Sequence, residues 1–225
     1  MQTRKLNIIS DSTKGFQRPE NRDGLTVIED ADYVLFFLFD GVSSYENSLL
    51  GVNKIIKAME ENHRAYFHND DYSLKEALHE MHDLLCSSGQ EGMYTTVCAL
   101  YLPRDINKPA KYSHLGDSRI YKYANGNLTL KTTDHNLPDS PHVLTKCLGM
   151  EKIEDTDFYE KEIEAISGEG FLLCTDGFYP VLEDRLLDYL QSAFIESDVS
   201  IKKTIHNDLA LHNSDDATYI LVAID

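Results

Sequence analysis

The four cysteines of this 225-residue chain form no C-x-x-C pair, and no apolar run approaches the ~20 residues a membrane span requires. Cys86, Cys98, Cys147 and Cys174 stand far apart, three of them in apolar or mixed stretches ("LLCSS", "TTVCALYL", "FLLCTDG"). That argues against a disulfide frame or a zinc site and for free thiols in a reducing, cytoplasmic compartment. The opening "MQTRKLNIISDSTK" lacks an apolar stretch of signal-peptide length, so secretion is not expected. Positive charge is scarce, with 21 Lys and Arg against 38 Asp and Glu and a net charge of -17. Nucleic-acid phosphates would be repelled by this balance, whereas divalent cations or basic peptides are compatible with it. No repeat, low-complexity tract or Pro/Gly-rich linker interrupts the chain, so residues 1–225 are expected to form one domain. His63, His68, His79, His82 and His206 form no H-x-x-x-H or other compact ligand set and read as surface residues on helical segments.

What is present is a succession of strand-like and helix-like runs. "KLNIIS", "GLTVIED" and "YVLFFLFD" read as strands, the last two joined by the turn "EDAD" as a hairpin. From residue 46 the period changes: Leu49, Val52, Ile55, Ile56 and Met59 recur at helical spacing. Ser73 reads as the N-cap of a second helix, with Glu76 completing a capping box. Strands return in "MYTTVCALYL", "AKYSHLGDSRIYKYA" and "LTLKTT", the last two separated by the hairpin signal Asn125-Gly126-Asn127. "EGFLLCTDG", two helical segments and a final strand "ATYILVAID" complete the chain. Strands come in neighbouring runs and helices in pairs (48–67 with 73–87, and 182–194 with 199–212), which predicts an α+β protein with largely antiparallel sheets and helices outside them.

Apolar strands deliver aspartates in similar settings: "FLFDG" at Asp40, "SHLGDSR" at Asp117, "FLLCTDG" at Asp176, and Asp215 and Asp216 just before the last strand. Asp and Gly at a strand end are ordinary turn chemistry. Several such ends in one domain also fit carboxylates meeting at one edge of a sheet sandwich, where like charges need a hard cation such as Mg²⁺ or Mn²⁺.

In order along the chain, "GFQRPENRD", "LFDGVSS", "MYTTVCALYL", "SHLGDSRIYKYANGNLTLKTTDHN", "LTKCLGM", "GFLLCTDGFYPVL" and "DDATYILVAI" resemble the motifs of the metal-dependent protein serine/threonine phosphatases, the protein phosphatase 2C-like family, in its compact bacterial form. The resemblance implies a four-layer αββα sandwich, two antiparallel sheets flanked by helix pairs. It implies two Mn²⁺ or Mg²⁺ ions, with a third possible, and hydrolysis of phosphoserine or phosphothreonine on a protein substrate by a metal-activated water. Carried over residue by residue, Asp40 bridges the metals and Gly41 offers its carbonyl. Asp176 and Asp215 complete the ligand set of one ion, Asp117 matches a third-metal position, and Arg18 receives the substrate phosphate.

Three departures qualify the match. Arg22 replaces the acid expected beside the second metal, so either Asp23 or Glu20 substitutes, or that metal binds weakly, or the chain is a degenerate phosphatase that binds a phosphoprotein or regulatory partner. Ser43 and Ser44 stand where the family has a glycine pair. Only "NLPDSPHV" separates "TTDH" from "LTKCLG", which leaves a flap very short or absent and the groove open. The acid that protonates the leaving oxygen is unassigned; His135 fits that role and a hairpin-end turn equally well.

Overall fold

The central strands are continuously apolar instead of alternating, because each sheet is covered on both faces. In the computed structural model, residues 3–67, 73–210 and 212–225 are described; His68 lies outside them. The chain runs β1 (Leu6–Thr13), β2 (Asp23–Glu29), β3 (Tyr33–Asp40), α1 (Ser48–Tyr66), α2 (Leu74–Cys86), β4 (Val97–Pro103), β5 (Ala110–Leu115), β6 (Arg119–Ala124) and β7 (Asn127–Leu130). It continues through β8 (Asn136–Leu137), β9 (Ser140–Leu144), β10 (Lys161–Ile163), β11 (Gly170–Cys174), α3 (Tyr179–Leu182), α4 (Leu186–Ser192), α5 (Asp198–Leu209) and β12 (Ala217–Ile224). One antiparallel sheet has the order β1-β12-β11-β6-β7, the other β10-β5-β4-β3-β2, and β8 pairs with β9 as a separate hairpin.

Side-chain alternation along each strand divides the core into layers. From β3, Leu35, Phe37 and Phe39 pack against α1 and α2, while Val34, Phe36 and Leu38 pack between the sheets. From β12, Tyr219 and Leu221 face α3 to α5, while Ile220 and Val222 join the inter-sheet layer. Helices, sheet, sheet, helices: this is the expected four-layer α+β sandwich.

Local expectations hold where local chemistry decides. The β2–β3 hairpin pairs Glu29 with Val34, and Asn125 and Gly126 take φ of 53° and 78°, as a two-residue turn between β6 and β7 demands. Ser73 caps α2, its Oγ accepting from the Glu76 N–H at 3.4 Å, but Glu76 does not return the bond that would complete the capping box. Two readings need correction. "AKYSHLGDSRIYKYA" is not one strand run, because β5 and β6 belong to different sheets. His82 is buried, not on the surface; its Nδ1 accepts from the Gly149 N–H at 3.2 Å, and its ring meets Phe158 edge-on.

Candidate metal centre

The acids gather where strands of both sheets end at one side of the sandwich. Asp40 closes β3, with its backbone held by the two residues before β4: the Thr96 N–H and Thr95 Oγ1 both donate to the Asp40 carbonyl at 2.9 Å. Its carboxylate shares a hydrogen bond with that of Asp176. Asp117 is carried by the three-residue corner Gly116–Ser118, which takes the chain from β5 in one sheet to β6 in the other. Gly116 has φ +113°, and a Cβ there would lie 2.6 Å from Thr96 side-chain atoms, so this crossing needs glycine. Asp176 follows β11 in a turn where Gly177 presses on Asp216; a Cβ at Gly177 would sit 1.9 Å from the Asp216 carbonyl oxygen.

Ligand atoms of Asp40, Asp117 and Asp176 lie within 4.8 Å of one another. They face a cavity of about 250 Å³ whose lining also includes Gly41, Arg18, Asp215 and His142. Burial, together with the neighbouring acids, pushes the Asp40 carboxyl well above its ordinary value. Burial first, and then Asp176, raises Asp117 to about 7. Asp176 is likewise raised, chiefly by burial. Three converging, charge-frustrated carboxylates are the donor set a hard divalent cation neutralises, so the residues present fit Mg²⁺ or Mn²⁺.

Asp215 lines the same cavity but gives both oxygens to Arg18, Oδ1 to Nε at 2.6 Å and Oδ2 to Nη2 at 2.5 Å. Asp23 is not among the converging acids. Its Cα is opposite Asp40 in the β2–β3 register, but its Oδ2 accepts from Thr175 Oγ1 at 3.0 Å and Thr218 Oγ1 at 2.7 Å. The alternation that points Leu25 and Val27 between the sheets also points Asp23 there, and burial raises its carboxyl to about 8. Asp216, which the sequence sets second to Asp215, is buried and accepts from the backbone N–H groups of Gly15 (3.0 Å) and Arg22 (2.8 Å). It ties the Arg18 loop to the start of β12.

Arg22 turns away from the acids. Its Nη1 donates to the carbonyls of Tyr45 (2.5 Å) and Ser43 (3.2 Å), and its Nη2 pairs with Glu20 at 2.9 Å. A cation stands where a metal-linked carboxylate is expected, and it serves to hold the loop after Gly41.

His135 is a prop behind Asp117. Its Nδ1 accepts from the Gly116 N–H at 3.1 Å, and its backbone N–H donates to the Gly116 carbonyl at 3.0 Å. The group missed in the sequence is the hairpin β8–β9. Asn136 Nδ2 donates to Asp117 Oδ2 at 3.2 Å, and His142 and Leu144 line the cavity. The only sequence signal was the turn-rich "NLPDSPHV".

This arrangement is the protein phosphatase 2C-like fold. The S. agalactiae serine/threonine phosphatase matches with a TM-score of 0.77 at 19% identity, over 98% of this chain and 100% of that one. The catalytic domain of the serine/threonine protein phosphatase PstP, solved in complex with two manganese ions, matches at 0.70 and 21%, over 97% and 98%. The Bacillus subtilis SpoIIE phosphatase domain with a fragment of its regulatory domain matches at 0.69 and 11%, over 100% of this chain and 64% of that one. No curated protein matches by sequence. The family model for stage II sporulation protein E (SpoIIE) matches residues 54–225, and the chain belongs to that family.

Proposed function

We propose that the chain is a Mg²⁺- or Mn²⁺-dependent phosphatase acting on phosphoserine and phosphothreonine in proteins. The observation that supports this most is the convergence of Asp40, Asp117 and Asp176 within 4.8 Å in a cavity that Arg18 also lines. Asp40, Asp117 and Asp176 would hold the cation, with Gly41 and Asp215 at the rim. When bound, it would lower the pKa of a water and offset charge on the phosphoryl group. Arg18 lies on the cavity lining with a planar fork suited to two phosphoryl oxygens, which would take the place of Asp215, its bidentate partner in the structure. The short hairpin β8–β9 leaves room for a phosphorylated side chain still attached to its protein. Three buried free thiols suit a reducing, cytoplasmic setting.

The test is hydrolysis of para-nitrophenyl phosphate and a phosphothreonine peptide with Mn²⁺, with Mg²⁺ and with chelator. Turnover should require the cation, and Asp40→Asn and Asp176→Asn should each lower kcat/KM by about 100-fold or more. Absence of turnover with every cation sinks the enzyme reading. A second reading, a phosphoprotein-binding module with little turnover, is favoured by Arg22. Phosphopeptide binding without hydrolysis in the same assay would select it.

A further inference from the structure

We propose that His142 donates the proton to the leaving serine or threonine oxygen and that Asn136 holds it in place; this rests on the phosphatase reading above. The loop after Asp40 and Gly41 carries Val42, Ser43 and Ser44, none of which gives up a proton near neutral pH. The titratable side chains lining the cavity, among the described residues, are the acids, Arg18 and His142. The acids have other roles: Asp40, Asp117 and Asp176 as cation donors, Asp215 at the rim of the same site, and Asp216 as acceptor from two backbone N–H groups. A guanidinium does not release its proton in a protein. His142 is the one imidazole on the lining, and imidazole both carries and yields a proton near neutral pH.

Hydrogen bonds fix the hairpin that carries it. The Asn136 Nδ2 group donates to Asp117 Oδ2 at 3.2 Å and also to the Pro141 carbonyl at 2.5 Å. One amide therefore joins the acidic floor to the residue next to His142. At the base of the hairpin the Thr145 N–H donates to the His135 carbonyl at 2.7 Å, and His135 in turn grips Gly116 beside Asp117. The hairpin is thus fastened to the same corner that carries Asp117, while His142 stays exposed enough to exchange protons with water.

The step balances as follows. A water oxygen bonds to phosphorus as the bond from phosphorus to the leaving oxygen breaks. The imidazolium of His142 passes its proton to that oxygen, giving a free hydroxyl. The proton released by the attacking water enters solvent, from which His142 is recharged.

Two substrates separate this role from a structural one. The alkoxide of threonine needs a proton to leave, whereas para-nitrophenolate is a stable anion and departs without one. In the metal-loaded protein, His142→Ala should lower kcat on a phosphothreonine peptide by about 100-fold, within the range expected for general acid catalysis. Turnover of para-nitrophenyl phosphate should stay within about three-fold, and added imidazole should restore part of the peptide activity. An equal fall on both substrates, or no fall on either, overturns the assignment of His142 and leaves the phosphatase reading standing. A wild-type protein inert toward both substrates overturns the phosphatase reading and this inference with it.

Discussion

His114, near the end of β5, is 3% exposed and fully bonded. Its Nε2 lies 2.9 Å from the Thr133 carbonyl, which can only accept, so Nε2 carries the hydrogen and Nδ1 accepts from the Tyr159 hydroxyl. The ring stacks on His135 at 4.7 Å, with Asp134 and Lys161 acting from outside the pair. Burial lowers the His114 pKa from 6.5 to about 4. A depressed imidazole means the unfolded chain binds more protons between those values, so stability is full above about 6.5 and falls as pH drops toward 4. Urea unfolding of wild type against His114→Phe should show about 2 kcal/mol more loss for wild type between pH 7 and pH 5. Equal losses would mean that His114 is not held neutral. Nothing in "SHLGDSR" singled out this histidine, because its partners Thr133, His135 and Tyr159 come from connecting segments later in the chain. Arg22 teaches the converse: the sequence shows the charge reversal at once, but only the structure shows the guanidinium bound to loop carbonyls and Glu20.

At the scale of elements, the Gly116–Ser118 corner matters most. It transfers the chain between sheets and holds Asp117 at the crossing, with Ser118 Oγ bonded to Thr96 Oγ1 at 2.7 Å. Gly116→Ala must accommodate a Cβ 2.6 Å from Thr96 at a φ that L residues avoid. It should cost about 1–3 kcal/mol of stability, and it should also weaken Mn²⁺ binding measured by titration calorimetry, because Asp117 shifts with the corner. A variant with wild-type urea midpoint and wild-type Mn²⁺ affinity would contradict this picture. The corner reads as strand in sequence because "AKYSHL" and "RIYKYA" both have strand composition; that the two join different sheets is set by the pairing of β5 with β10 and of β6 with β11, both farther along the chain. By contrast, the β2–β3 and β6–β7 hairpins and the Ser73 cap were legible, since each is decided by residues within a few positions of one another.

For the whole molecule, the inter-sheet layer joins both halves. Phe36 of β3 and Phe171 of β11 are fully buried in it, together with Ile220 and Val222. Loss of a ring here opens a cavity that neither sheet can close alone, so Phe36→Ala should destabilise by about 3–5 kcal/mol. Both sheets should still unfold together. Far-UV circular dichroism and tyrosine emission (the chain has no tryptophan) should give coincident denaturation curves in wild type and variant. Separated transitions would show that the two sheets are independently stable.

Strand and helix runs, the Ser73 cap, the hairpins and the motif order that points to the phosphatase class were all determined by the sequence itself. Their signals are local: a period of two or 3.6, a turn residue, a short motif. The α+β sandwich followed from counting those runs and from the family resemblance. Tertiary structure decided the rest. It brought Asp40, Asp117 and Asp176 from three separate strand ends to one cavity, turned Asp23 inward to Thr175 and Thr218, paired Arg18 with Asp215, and put His142 on the lining of that cavity. The reason is physical: a carboxylate at a strand end has the same local environment whether it meets water, a threonine or two other acids. Only the packing of one sheet on another determines which it meets.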